Sequence, residues 1–316
     1  MSNVLNTPVA LRNAIQIACE SDDIASLSGR IDATSLARST NMQSALERGL
    51  RVSARKNSTK VMRYLIEQGA NVSRVSAFSL IDIETEALPS QETLEILVEH
   101  GWDINTRTPG LGGTPILWYV VGDTNLVKWC LDHGADVDPA DDTPEGAKKH
   151  RKPILEVAAA EGNIEVFELL RAKGAPLDFH HGVLPSAVMK ASFNVPAAGE
   201  NPSASFIRML EMIRHLIDVV GCDVNSISYG TYYGSGSHCS TPLCWVACHT
   251  NSDGVRDLVR LLLDRGGDLD LAGPLLWGSQ VPSAREAARQ RSNLPFLKVI
   301  AEWEARNRKS EVEEPK

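Results

Sequence analysis

The chain has 316 residues, 43% hydrophobic and 23% charged, with a formal net charge of -8. That length exceeds the ~250–300 residues over which a single compact core usually grows, so it implies two globular domains or one elongated repeat array. The acid excess argues against nucleic acid as the main partner, and no apolar run approaches the ~18 residues that span a bilayer. Aromatics at 5% are few for a β-sandwich or barrel. The first residues carry no basic-then-apolar segment, so no secretory signal is expected. The six cysteines are then expected as reduced thiols in the cytosol or nucleus.

In chain order, residues 8–32 open on a helix whose Leu11, Ala14, Ile17 and Ala18 mark one apolar face. Helix-pair units are expected at about 40–72, 73–105, 106–138, 139–178, 179–225, 226–270 and 271–308, making eight pairs with the first. The evidence is a recurring turn. An apolar helix end is followed by Gly, a small residue, often Asp or Asn, and an aliphatic: Gly69-Ala70-Asn71-Val72, Gly101-Trp102-Asp103-Ile104, Gly134-Ala135-Asp136-Val137, Gly174-Ala175-Pro176-Leu177, Gly221-Cys222-Asp223-Val224 and Gly266-Gly267-Asp268-Leu269. The first intervals are 32 and 33 residues; later ones grow to 40, 47 and 45. Gly just past a helix end can take the left-handed conformation that closes the C-cap, and Asp or Asn after it can bond nearby backbone and start a turn.

Between the glycines, Thr114-Pro115-Ile116 and Thr241-Pro242-Leu243 open apolar helices; Pro153–Ala159 and Pro282–Ala288 are weaker versions. Pro suits the first helical turn and a preceding Thr can cap it. The second helices are strongly apolar at Val61–Ile66, Val166–Leu170 and Leu258–Leu263. Insertions fall at Pro139–Lys152, Asn194–Ser205 and Ser226–Ser240.

These residues resemble the ankyrin repeat, with its Thr-Pro-Leu-His signature and 33-residue period. The likeness covers about residues 8–308, although Leu117, Glu156 and Cys244 stand where the family has His. It implies an all-α ankyrin-repeat solenoid of about eight helix pairs with finger turns. The reading is one domain over 1–308, with a cap region at 1–39, a C-terminal cap repeat at 271–308 and a disordered tail at 309–316.

Chemistry-bearing motifs are weak. No phosphate loop, Gly-x-Ser-x-Gly or His-Glu-x-x-His is present, so no cofactor is expected. His238, Cys239, Cys244, Cys248 and His249 cluster, but their spacing fits zinc poorly and no metal is expected; buried thiols are the favoured reading. The basic run Lys148–Lys152 reads as a solvated loop.

The resemblance implies a binding module rather than an enzyme, with a partner, a protein first, held on the concave groove and finger turns. In the family the residues at positions five, eight and nine of each first helix look toward that groove, counting from Thr of Thr-Pro. With Arg48 as position one this selects Val52, Arg55 and Lys56; with Thr114, Trp118; with Pro153, Val157, Ala160 and Glu161; with Thr241, Trp245, Cys248 and His249. The finger residues His180, His181, Tyr232 and Tyr233 join them. The alternative is a small-molecule-binding or enzymatic ankyrin protein, whose chemistry would draw on His180, His181, His238, His249, Tyr229, Tyr232 or Tyr233.

Overall fold

The computed structural model describes residues 5, 7–28, 30–31, 39–107, 113–138, 153–177, 182–227, 241–273, 275–276 and 279–313. The chain divides into two compact units, Met1–Arg151 and Lys152–Lys316. The division falls inside the first insertion, at 139–152, which lies outside the described residues.

The first unit contains α1 (Pro8–Ser21), α2 (Thr40–Arg55), α3 (Thr59–Glu67), a 3-10 turn at Val72–Arg74, α4 (Ala77–Leu80), α5 (Gln91–Glu99), α6 (Ile116–Tyr119) and α7 (Thr124–Asp132). Long α1 packs on α2, and α2 carries α3 and α4. Gly49 makes the first contact close, because a Cβ there would collide with the Ile15 side chain. The buried face of α1 is Leu11, Ala14, Ile15, Ala18 and Cys19; Ile17, expected in that face, is 60% exposed. At 100° per residue, Ile15 rather than Ile17 falls in line with Leu11 and Ala18.

The second unit contains α8 (Ile154–Glu161), α9 (Ile164–Ala172), α10 (Val183–Phe193), α11 (Ala204–Asp218), α12 (Pro242–His249), a 3-10 turn at Asp253–Val255, α13 (Arg256–Leu263), α14 (Ala284–Gln290) and α15 (Leu294–Glu313). A two-residue antiparallel ladder joins β1 (Leu275–Leu276) to β2 (Ser279–Gln280) before α14. Seven helix pairs thus follow α1 among the described residues, and helices supply the core throughout.

The six turn glycines have φ between 82° at Gly221 and 92° at Gly69. At Gly134 this positive φ lets the Ala135 N–H donate to the Cys130 carbonyl at 2.9 Å, and at Gly266 it lets Gly267 donate to Leu262 at 3.0 Å. Each bond reaches back over the helix end and satisfies an orphan carbonyl. The Asp after it starts the next turn. Asp136 Oδ1 accepts from the Asp138 N–H at 2.9 Å, and Asp268 Oδ1 accepts from Asp270 at 2.8 Å. Asn71, Asp103 and Asp223 do the same two residues on.

Successive turns are stitched by asparagine. Asn105 Nδ2 donates to the Gly134 carbonyl at 3.0 Å while its Oδ1 accepts from the Asp136 N–H at 2.9 Å. Asn225 repeats this with Gly266 and Asp268 at 3.0 and 2.7 Å. Only a side chain carrying both donor and acceptor makes both bonds.

Helix starts depart from expectation in detail. Thr241 caps α12 by accepting from Cys244 N–H at 3.2 Å, with Pro242 in the first turn. Pro115 and Pro153 instead stand at the N-cap, one residue early. Residue Arg48 lies mid-helix rather than at a start, because α2 begins at Thr40. At the C-terminal end, α15 continues to Glu313, into the stretch read as a disordered tail. Residues 294–313 contain Pro295 in the first turn and no Gly, so nothing in them breaks the helix.

Two guanidinium clamps tie neighbouring pairs of the second unit. Arg265 holds Asp218 at 2.7 and 2.6 Å, and Arg285 holds Asp270 at 2.7 Å and Glu304 at 2.8 Å. The hydrogen bonds from Arg265 and Arg285 keep the Asp218 and Asp270 carboxyls below their ordinary range.

The asparagine stitch gives a test. Replacing Asn225 by Ala removes two bonds of about 0.5–1.5 kcal/mol each, so unfolding in urea should show a loss of about 1–3 kcal/mol. Asn225→Asp should also destabilise, since it keeps the acceptor and loses the donor. An Asn225→Ala variant as stable as the parent would contradict the assignment.

Candidate functional site

The register of the first helices can be read from burial. In α2, Ser53 and Ala54 at positions six and seven are buried, Val52 and Arg55 are half-buried, and Lys56 is exposed. In α8, Ala158 and Ala159 are buried, Val157 and Ala160 half-buried, and Glu161 exposed. Helix α12 gives the same result: Val246 and Ala247 buried, Trp245 and Cys248 half-buried, His249 exposed. Buried residues at six and seven, small in α2 and α8, face the adjacent helix, and 3.6-residue periodicity turns five, eight and nine outward.

Helix α6 breaks this register. It spans only four residues, Ile116–Tyr119, and Trp118 within it is 5% exposed. Trp118 is therefore a core residue here, not an exposed aromatic contact.

Trp245 is the exposed-face aromatic that remains. Its ring stacks on His249 with centroids 3.9 Å apart and an interplanar angle of 16°. His249 Nδ1 lies 3.1 Å from the Trp245 carbonyl. That carbonyl only accepts, so Nδ1 carries the proton in this bond. The Trp245 indole N–H is enclosed without a hydrogen-bond partner among the described residues. The same device recurs on α7, where Trp129 stacks on His133 at 4.0 Å and His133 Nδ1 sits 2.8 Å from the Trp129 carbonyl. Sequence reading missed this pairing, although the four-residue spacing of both Trp-His pairs puts them on one helix face.

Arg55 does not stand alone on its face: its Nε donates to the Ser79 carbonyl at 3.3 Å, and its charge helps lower the Asp82 carboxyl, whose main cause is the hydrogen bond from the Glu84 backbone. Glu156, at the family's His position, is buried and accepts from Ser186 Oγ at 3.2 Å across to α10. A carboxylate thus makes the link between first helices.

The candidates His180, His181, Tyr229, Tyr232, Tyr233, His238 and Cys239 lie outside the described residues. The metal-like cluster therefore reduces to three described members. Cys244 is buried with Sγ 3.3 Å from the Pro282 carbonyl, Cys248 is half-buried, and His249 is the stacked ring. Cys19, Cys130 and Cys222 are buried thiols; burial raises them to about 11, 12 and 11 respectively. Among the described helices none is long and apolar enough to cross a membrane.

Helix pairs closed by left-handed glycines, Asx turns and paired small residues in the first helix define the class: the chain has an all-α, ankyrin-repeat fold. No family model matches the chain, and no curated protein matches it. Among solved structures it is similar to the human ASB11 ankyrin repeat domain, at 19% identity over 77% of this chain and 96% of that chain, with a TM-score of 0.46.

The thiol environments predict a chemical outcome. With values near 11–12, Cys19, Cys130 and Cys222 hold roughly a thousandth or less of their thiol as thiolate at pH 8. In native protein they should resist a thiol-specific disulfide reagent, and all three should react once the chain is unfolded. Rapid modification of any of them in the folded state would contradict their placement.

Proposed function

We propose that this chain is a protein-binding module, with both units serving one domain over 1–308 in the cytosol or nucleus. The observation that carries the reading is the set of outward first-helix residues that each unit presents by itself: Val52, Arg55 and, just past the helix end, Lys56 on α2 in the first unit, and Glu161 on α8 with Trp245 and His249 on α12 in the second. The first unit thus offers cations beside an apolar side chain, and the second an anion, an aromatic and a histidine, all on helices or at their ends. Trp and Arg are the residues most enriched where binding energy concentrates. A stacked Trp245 loses little side-chain freedom on being covered, which favours tight contact. The finger residues His180, His181, Tyr232 and Tyr233 belong to the same proposal as flanking contacts. The buried thiols suit a reducing compartment.

Affinity purification from the native cell, read by mass spectrometry, tests this directly. The parent chain should recover a protein partner. Trp245→Ala should reduce recovery several-fold, in keeping with the ≥ ~2 kcal/mol of a hot spot, with a melting temperature close to the parent's. Trp118→Ala serves as the contrast: it should lose about 3–5 kcal/mol of stability through a core cavity. Undiminished recovery by Trp245→Ala would contradict the proposed face.

A further inference from the structure

A groove of about 290 Å³ runs between α1 and α2, lined by Val9, Arg12, Asn13, Gln16, Arg48 and Val52, among others. Arg12 rises from one helix and Arg48 from the other, and both are exposed. Arg12 Nε donates to the Pro8 carbonyl at 3.2 Å; neither guanidinium has a carboxylate partner among the described residues. Several arginines of the second unit, by contrast, hold carboxylates. Arg171 sits on Glu168 at 2.8 Å, Arg265 on Asp218 at 2.6 Å, Arg285 on Asp270 at 2.7 Å and Arg306 on Asp264 at 2.8 Å.

The local charge is also inverted. In a chain of net charge -8, residues 40–74 carry Arg48, Arg51, Arg55, Lys56, Lys60, Arg63 and Arg74 against Glu47 and Glu67 alone. Some of this is balanced from neighbouring elements: the charge of Arg55 acts on Asp82, Lys56, Glu20 and Asp22 all act on the Cys19 thiol, and Glu99 is 3.6 Å from Arg63. The groove itself is lined by no carboxylate: Arg12 and Arg48 share its walls with the amides of Asn13 and Gln16 and with aliphatic side chains. Val9 is 57% exposed beside them. The Ile15–Gly49 contact fixes the spacing of the two helices, so the groove is held open by backbone packing.

We propose that this groove docks an acidic peptide segment of the partner protein, with carboxylates paired to Arg12 and Arg48 and an aliphatic side chain seated against Val9 and Val52. The inference rests on the protein-binding reading and names the partner chemistry that the first unit selects. Guanidinium groups match carboxylates in two-pronged geometry, and such pairs steer association as well as hold it. The open groove is at the small end of the volumes that enclose a metabolite, and suits a few side chains of an extended chain. The amides can hydrogen-bond peptide groups between the carboxylates.

The test uses the full chain and a fluorescein-labelled peptide, Gly-Asp-Glu-Leu-Glu-Val-Asp-Gly, read by anisotropy at low and moderate salt. The parent should bind it, and the Asn/Gln version of the peptide should not bind. Arg12→Gln combined with Arg48→Gln should weaken binding about tenfold or more, while Arg208→Gln, an exposed cation on α11, should leave it unchanged. Absence of peptide binding by the parent, or equal weakening by Arg208→Gln, would overturn the proposal. So would an oligothymidylate of equal charge binding as tightly as the peptide, since the groove would then be a general polyanion site. If the peptide fails while Trp245→Ala still abolishes partner recovery, the binding-module reading stands and this inference alone falls.

Discussion

Six of the seven helix pairs among the described residues must reverse direction just after the second helix while leaving few carbonyls unsatisfied. A left-handed residue does both: it turns the chain and aims the next N–H back at a carbonyl near the helix end. For an L side chain that conformation is unfavourable by roughly 1–2 kcal/mol, so the position selects Gly. At Gly134 and Gly266 nothing lies within 4 Å of where a Cβ would be, so space is not the reason for Gly there; the backbone angle is. Once the turn is set, the Asp two residues on has a fixed place to bond the backbone. Asn105 and Asn225 can then reach the following turn and hold consecutive repeats in register.

The register in turn distributes the side chains. Small residues at two consecutive first-helix positions let helices approach, and the residues around them face out. The surface character is then whatever sequence supplies at those outward places. The first unit supplies cations at Arg48, Arg55 and Lys56; α12 supplies a stacked aromatic pair, Trp245 and His249. The scaffold is repetitive while its outer face is not, which is how one repeat architecture can present different chemistry along its length. In the second unit some acid groups fix neighbouring elements, as Asp218, Asp270 and Glu304 show.

Much of this was legible because the turn is local. All six glycines, the Asx turns after five helix ends and the apolar second helices follow from residues within a few positions of each other. Features set by tertiary packing were not legible. Thr114-Pro115 announces a helix, but neither residue says that α6 spans only one turn or that Trp118 within it is buried. The paired Ser53-Ala54 located the last turns of α2, yet Ser39, the cap at its true start, was read as lying in the preceding cap region. Glu156 looked like a departure from the family's His; its role as a buried link to Ser186 needs α10 in place. The unpaired state of Arg12 and Arg48 is likewise invisible until α1 and α2 are brought side by side.

The left-handed turn can be isolated from its surroundings by two glycines of the same unit. Gly134 has φ of 85°, Gly122 does not have positive φ, and neither has an atom within 4 Å of a would-be Cβ. Unfolding free energies of Gly134→Ala and Gly122→Ala therefore compare backbone angle alone. Gly134→Ala should lose about 1 kcal/mol or more, and Gly122→Ala should be neutral or gain up to about 1 kcal/mol from the restricted unfolded chain. Equal effects of the two substitutions would contradict the account that the left-handed turn organises the repeats.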